Sequence, residues 1–257
     1  MYSHVGCTLE NQNRQNPIVP MKKTLVSLIV IATLAAAVPI RSFAVTSLDF
    51  NQNVTAILGS GNPNTGWTTW TDTAYNLQLG LRAKDRLTGA TPNNGAGTFL
   101  FSTGSYPGPV RNKFNYEFSI NVDPQSFGVQ KLNMFDFYLS ASGPSWSPPT
   151  INLLTAYADN SYGDNATANG MGVEGLSSVY APILNIAQNS QNPVFTGADP
   201  NLSGNYLYTL FATLPGAGPN GYRIAQVDMV VSVPEPSSLA LLGISSLAFV
   251  QRIRRRK

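Results

Sequence analysis

Nine consecutive residues, Phe114 to Val122, do most to limit what this chain can fold into: Phe114, Tyr116, Phe118, Ile120 and Val122 alternate with Asn115, Glu117, Ser119 and Asn121. A period of two sends neighbouring side chains to opposite sides of an extended backbone. The run is therefore expected to be a strand with an apolar face for a core and a polar face for water. Further strands are expected at Ser47 to Phe50, Val54 to Leu58, Leu77 to Leu81, Thr98 to Ser102, Leu132 to Ser140, Ile151 to Tyr157, Tyr206 to Leu214 and Ile224 to Val233. Between them lie Gly- and Pro-rich stretches such as Gly59 to Asn64, Pro92 to Gly95, Tyr106 to Pro109 and Pro215 to Gly221, which is turn and loop chemistry. Short strands punctuated in this way predict an all-β body, a single jelly-roll-like β-sandwich. Gly163 to Leu184 lacks clean alternation and reads as a long loop or a short helix. No fixed-period repeat points to a propeller or solenoid.

The pattern changes abruptly after Ile224 to Val233. Val233-Pro234-Glu235-Pro236 is followed by an uncharged run of 14 residues, Ser237 to Val250, and then by Gln251-Arg252-Ile253-Arg254-Arg255-Arg256-Lys257. Neither proline has an N–H, so this stretch should be extended and lie outside any sheet. The run, with Ser237, Leu239, Leu241, Leu242, Ile244, Leu247, Phe249 and Val250 along it, is shorter than the roughly 20 residues of an ordinary spanning helix. It is expected to enter a membrane with its flanking basic side chains snorkelling to the interface. Arg252, Arg254, Arg255, Arg256 and Lys257 then act as a stop-transfer tail, holding the terminus in the cytoplasm with the body on the other side.

This order of motif, apolar helix and Arg-rich end resembles the PEP-CTERM sorting signal of Gram-negative bacteria. The resemblance covers 233–257, about a tenth of the chain. It implies recognition by an exosortase, a membrane-embedded cysteine transpeptidase-like enzyme, which cuts near Pro-Glu-Pro and releases or transfers the protein to the surface. Such proteins tend to accompany exopolysaccharide and biofilm production. An ordinary C-terminal anchor is the plainer alternative, but it has no use for Pro-Glu-Pro.

The other end agrees with export. Met21-Lys22-Lys23 is a positive n-region, Leu25 to Val38 an apolar h-region, and Ser42-Phe43-Ala44 carries small residues where a signal peptidase reads them. Cleavage after Ala44 makes Val45 the mature N-terminus. Residues 1–20 are polar and aperiodic, as a misassigned upstream start would be, with a long n-region as the alternative. The expected division is thus 1–20 extension, 21–44 signal peptide, 45–232 extracytoplasmic domain and 233–257 sorting signal.

Removing these segments reverses the charge argument. The whole chain carries +3, but 45–233 holds seven Lys and Arg against eleven Asp and Glu, a net of −4. Nucleic-acid binding therefore has no electrostatic basis. The single His and single Cys are His4 and Cys7, so the body has neither. This excludes His- or Cys-based nucleophilic triads, His-ligated zinc and a disulfide framework.

Four groups of residues remain as candidate sites. Asp159, Asp164 and Glu174, in an Asx-rich loop region, are candidate calcium ligands, although their spacing is not that of an EF-hand. The plainer reading is a loop satisfying its own backbone. Trp67, Trp70 and Trp146, with Tyr75 and Tyr106, are candidate platforms for sugar rings, against core packing as the ordinary role. Thr69, Thr71 and Thr73 alternate as an ice-facing strand would, though one unrepeated run is ordinary for an exposed strand. Asp123, Asp136, Glu117 and Glu174 are the carboxylates left for a glycosidase, and sequence does not give the separation such chemistry requires. No enzyme and no obligatory cofactor is expected. The leading expectation is an exported, transiently membrane-anchored protein with a structural or adhesive role beside exopolysaccharide. A carbohydrate- or calcium-dependent binding module is the alternative, and a carboxylate-based hydrolase the third.

Overall fold

The computed structural model describes residues 46–59 and 63–235, all within the larger of the two units, Ala44–Lys257 and Met1–Phe43, into which the chain divides. The signal-peptide residues Ser42, Ala44 and Val45, the apolar run and the basic tail lie outside the described residues. In chain order the elements are β1 (Thr46–Gln52), β2 (Trp67–Asp72), β3 (Leu77–Asp85), β4 (Thr98–Leu100), β5 (Phe114–Asn121), β6 (Asp136–Ser142), β7 (Ile151–Asn152), α1 (Leu153–Ala156), β8 (Asn160–Gly163), β9 (Val173–Gly175), α2 (Ser177–Tyr180), β10 (Ile186–Gln191), β11 (Gly204–Thr213) and β12 (Arg223–Val233). The body is all-β.

Two sheets account for every strand. A seven-stranded sheet runs β1-β2-β3-β5-β10-β8-β9 and a five-stranded sheet runs β4-β12-β11-β6-β7. Every pair is antiparallel except β12 with β4. Register explains the core. Trp70, Leu79, Ile120, Ala187 and Tyr162 lie opposite one another across five strands of the first sheet, and all pack in or against the main core. That core also takes the inward residues of the second sheet, with Tyr116 against Tyr208 at 5.0 Å and Phe114 against Tyr206 at 5.7 Å between ring centroids. Burying such rings is the main favourable term in joining two sheets.

The next row of the large sheet faces away from this core: Thr69, Gly80, Ser119, Gln188, Ser161 and Glu174. Here the structure corrects the sequence reading. Phe118 and Ser119 do point to opposite faces, yet Glu117, Ser119 and Asn121 are buried. Glu117 is held by Arg82 and Lys84, and Asn121 donates to Asn165 Oδ1. Over Ser119 and Gln188 the cover is Val54 to Leu58, expected as a strand but belonging to neither sheet. Its backbone groups are served largely by side chains. Gln188 donates to Ala56 O (2.6 Å) and accepts from Leu58 N (2.8 Å), Gln78 accepts from Thr55 N (3.1 Å), and Asn64 both accepts from Val54 N and donates to Val54 O. Gly80 permits the close approach, because a Cβ there would stand 2.9 Å from Val54 Cγ1.

Other expectations shift for local reasons. Leu132 to Met134 forms a 3-10 turn before β6 begins. Ile151 to Tyr157 pairs over two residues only, because Asn152 caps α1 by accepting from Leu154 N at 3.1 Å. Gly163 to Leu184 holds both β9 and α2. Thr69 is buried rather than on an open threonine face.

Candidate functional site

A cleft of about 220 Å³ opens on the outer face of the seven-stranded sheet, beside the covering segment. Register alone brings much of its lining together. Arg82, Glu117 and Ser190 are cross-strand neighbours on β3, β5 and β10, and Gln188, Ser161 and Glu174 follow in the next row across β10, β8 and β9. Ile57 and Gly59 of the covering segment, Trp67, Asp159 and Asn189 complete the wall.

A buried ion cluster stiffens this cleft. Arg82 Nε donates to Glu117 Oε2 at 2.5 Å, while its Nη1 donates to the carbonyls of Pro63 (2.7 Å) and Thr65 (2.8 Å). Lys84 Nζ pairs with Glu117 Oε1. The Arg82 guanidinium lies 4.3 Å from the centre of the Trp67 ring. Two cations on one carboxylate, with the guanidinium donating to carbonyls as well, meet the condition under which buried charge is tolerated. Glu117 is thereby committed to structure.

The sequence-derived candidates distribute unevenly. Asp159, Glu174 and Trp67 share the cleft. Asp164 does not: its Oδ1 accepts from Ala166 N and Thr167 Oγ1 in its own turn, and it lines a different surface depression with Asp123 and Asn185. Among the described residues no three His, Cys, Asp or Glu side chains are grouped to hold a metal ion. Asp123 is likewise occupied, accepting from Asn76 Nδ2, Phe127 N and Gly128 N. Asp136 accepts from Gly216 N.

Two of the three tryptophans do not offer open ring faces. Trp67 is 2% and Trp146 7% exposed, the latter packed on Tyr206 and Tyr208 with Nε1 donating to Thr196 O at 2.9 Å. Trp70 packs against the main core. Burial thus closes the ring faces of Trp67 and Trp146, while half-buried Trp70 keeps part of its surface in solvent. Trp67 retains one other property, an indole N–H that is buried without a partner among the described residues. Tyr106 donates to Asp85 Oδ2 at 2.5 Å. Sequence reading missed Arg82, Gln188 and Asn189. The first lies in the alternating stretch β3, where an Arg on the outer side of a strand ordinarily reads as solvated.

The C-terminal motif begins inside the fold. Val233 is the last residue of β12, buried and paired with Gly204. Its neighbour Ser232 is opposite Leu100, and Ser232 O accepts from Phe101 N at 3.0 Å. Pro234 then leaves the sheet, since it has no N–H to continue the ladder. Pro236 onward lies outside the described residues.

Residues 232–256 match the PEP-CTERM protein-sorting motif, so the chain carries a signal for export, exosortase processing and membrane-linked sorting toward the cell surface. No curated protein and no solved structure matches the chain.

Proposed function

We propose that this is a non-catalytic component of the cell surface or extracellular matrix, exported as a precursor and delivered by an exosortase to a structural or adhesive role beside exopolysaccharide. The observation that carries the reading is the sorting motif set directly against the last strand of a folded β body. Signal peptidase removes the segment ending at Ala44. The apolar run Ser237 to Val250 holds the chain in the inner membrane, with Arg252 to Lys257 in the cytoplasm, until the cut near Pro234-Glu235-Pro236. The two facing sheets, with their shared core, support a jelly-roll-like β-sandwich as the delivered body. In a strain lacking its exosortase, the protein should accumulate uncut in the inner membrane. Unchanged delivery to the surface in that strain would sink the reading.

A second reading, direct binding of a polysaccharide, is favoured by the cleft. Asp159, Glu174, Ser161 and Asn189 offer acceptors and donors at its wall, and Trp67 an unmet donor. Its volume is below the ~300–1,000 Å³ of a drug-sized pocket and suits a single sugar unit. Carboxylates at the rim favour neutral over uronic sugars. Titration with neutral oligosaccharides should give binding that weakens in Glu174→Gln, and release of reducing ends would instead indicate a hydrolase.

A further inference from the structure

The joint between the body and the sorting segment is very short. Val233 is buried within β12, and the apolar run starts at Ser237, so only Pro234, Glu235 and Pro236 separate them. Three residues span at most about 11 Å even when fully extended. If the apolar run enters the bilayer, the end of the body that carries Val233 must then lie at its surface. This step rests on the membrane-anchored precursor proposed above.

The chemistry of that end fits the position. Contacts link the loops around Val233 into one surface: Phe101 N donates to Ser232 O, Lys113 Nζ donates to Ser102 Oγ at 3.0 Å, Arg86 N donates to Lys113 O at 2.9 Å, and Arg111 lies 5.2 Å from the Phe195 ring centre. Large apolar side chains stand out from it, with Leu87 71%, Val110 64%, Phe195 61% and Leu100 50% exposed. Three of the seven basic residues of 45–233 gather there, Arg86, Arg111 and Lys113, against Asp85 and Asp199. The other four basic residues of 45–233 face nine acidic ones. An anionic bilayer therefore repels the rest of the body and admits this end.

We propose that the precursor docks this end of its body onto the membrane, with Val110, Phe195 and Leu100 seated among the headgroups and Arg111 and Lys113 on lipid phosphates. The exosortase then receives its Pro-Glu-Pro site at the membrane surface, held there by the fold. Processing frees the body from its anchor, and the remaining apolar and basic contacts are those of a peripheral attachment, reversible where the segment itself was not.

The test uses the precursor after signal-peptide removal, residues 45–257, reconstituted in vesicles of phosphatidylethanolamine and phosphatidylglycerol, with one fluorophore on either Val110→Cys or Ala217→Cys, the single cysteine in each case. Ala217 lies in the exposed β11–β12 turn, at the other end of these strands. Headgroup-attached quenchers should quench the label at 110 several-fold more than the label at 217. Equal quenching overturns the proposal. A flexible Gly-Ser spacer inserted between Val233 and Pro234 separates docking from mere tethering. Docking predicts that quenching at 110 survives the spacer and falls when Arg111→Gln and Lys113→Gln are added. Loss of quenching with the spacer alone means that the short joint was the whole cause, and docking is overturned. A chain that fails to sediment with vesicles removes the anchored precursor, and the proposal with it, a result distinct from a chain that is bound but undocked.

Discussion

Glu117 shows how a single residue in this fold is fixed by its neighbours on adjacent strands. It holds Arg82 and Lys84 together under the wall of the cleft, so Glu117→Ala leaves two cations without their counter-charge and should cost about 3–5 kcal/mol in urea unfolding. Replacing all three by apolar residues of similar size should cost less than that single change, and a larger loss for the triple variant would contradict this account. Asp85 and Tyr106 make a second pair. Burial opposes ionisation of Asp85, but hydrogen bonds from Tyr106, from Thr88 and from the N–H of Leu87 outweigh it and hold the carboxyl below its usual range. The same bond to Asp85, then burial, then the Asp85 charge push Tyr106 up to about 12. The signs differ between the two groups. Stability from Asp85 is complete above the unfolded carboxylate value of about 3.9 and is lost as pH falls through the lower folded value. Stability from Tyr106 is complete below about 10 and is lost as pH rises through its folded value. Tyr106→Phe should therefore move the acid unfolding limb to higher pH and remove one raised phenolate step from the alkaline absorbance titration of the folded chain. An unshifted acid limb would show that the pair contributes nothing.

At the scale of elements, the segment from Val54 to Leu58 decides how the large sheet behaves. Its apolar residues made it look like a strand, and its composition is indeed that of one; what sequence could not show is that its partners are side chains of distant residues, Gln78 and Gln188. The consequences are measurable. Phe118→Ala opens the main core and should cost about 3–5 kcal/mol. Ser119→Ala, on the opposite face, should cost about 1 kcal/mol rather than nothing, because its hydroxyl accepts from Gln188 Nε2 at 2.9 Å beneath the cover. Gln188→Leu strands the groups of Ala56 and Leu58 together and should cost about 2–4 kcal/mol. Thermal melts would rank the three, and a Gln188→Leu variant as stable as the parent would mean that the cover is held by apolar contact alone. The strands with clean alternation, β3, β5, β11 and β12, were legible because one face is core and the other polar. Those with short or polar runs, β8, β9 and β10, were not, since Asn160-Ser161-Tyr162-Gly163 carries little apolar signal and acquires its strand from pairing with β10.

For the whole molecule, what the sequence conveyed best was the address and what it conveyed least was the cleft. The sorting signal is contiguous, so residues in order are enough to read it. The cleft is assembled from seven separate stretches of chain, and its members meet only through register, which is why Asp159 and Glu174 were found without Arg82 or Gln188. The boundary between address and body lies within β12 and has its own consequence. The pairings of β12, ten with β11 and three with β4, fall at or before Val233. A chain stopped after Val233 keeps all of these pairs and should therefore be exported in soluble form and melt within about 1 kcal/mol of the processed protein. A chain stopped after Met229 loses Val230 to Val233, together with the β4 pairs and the buried Val231 and Val233, and should fail to accumulate. Fractionation of exported material with melts of the soluble product would compare them. If the chain ending at Val233 also failed to fold, the sorting segment would have to be counted as part of the body.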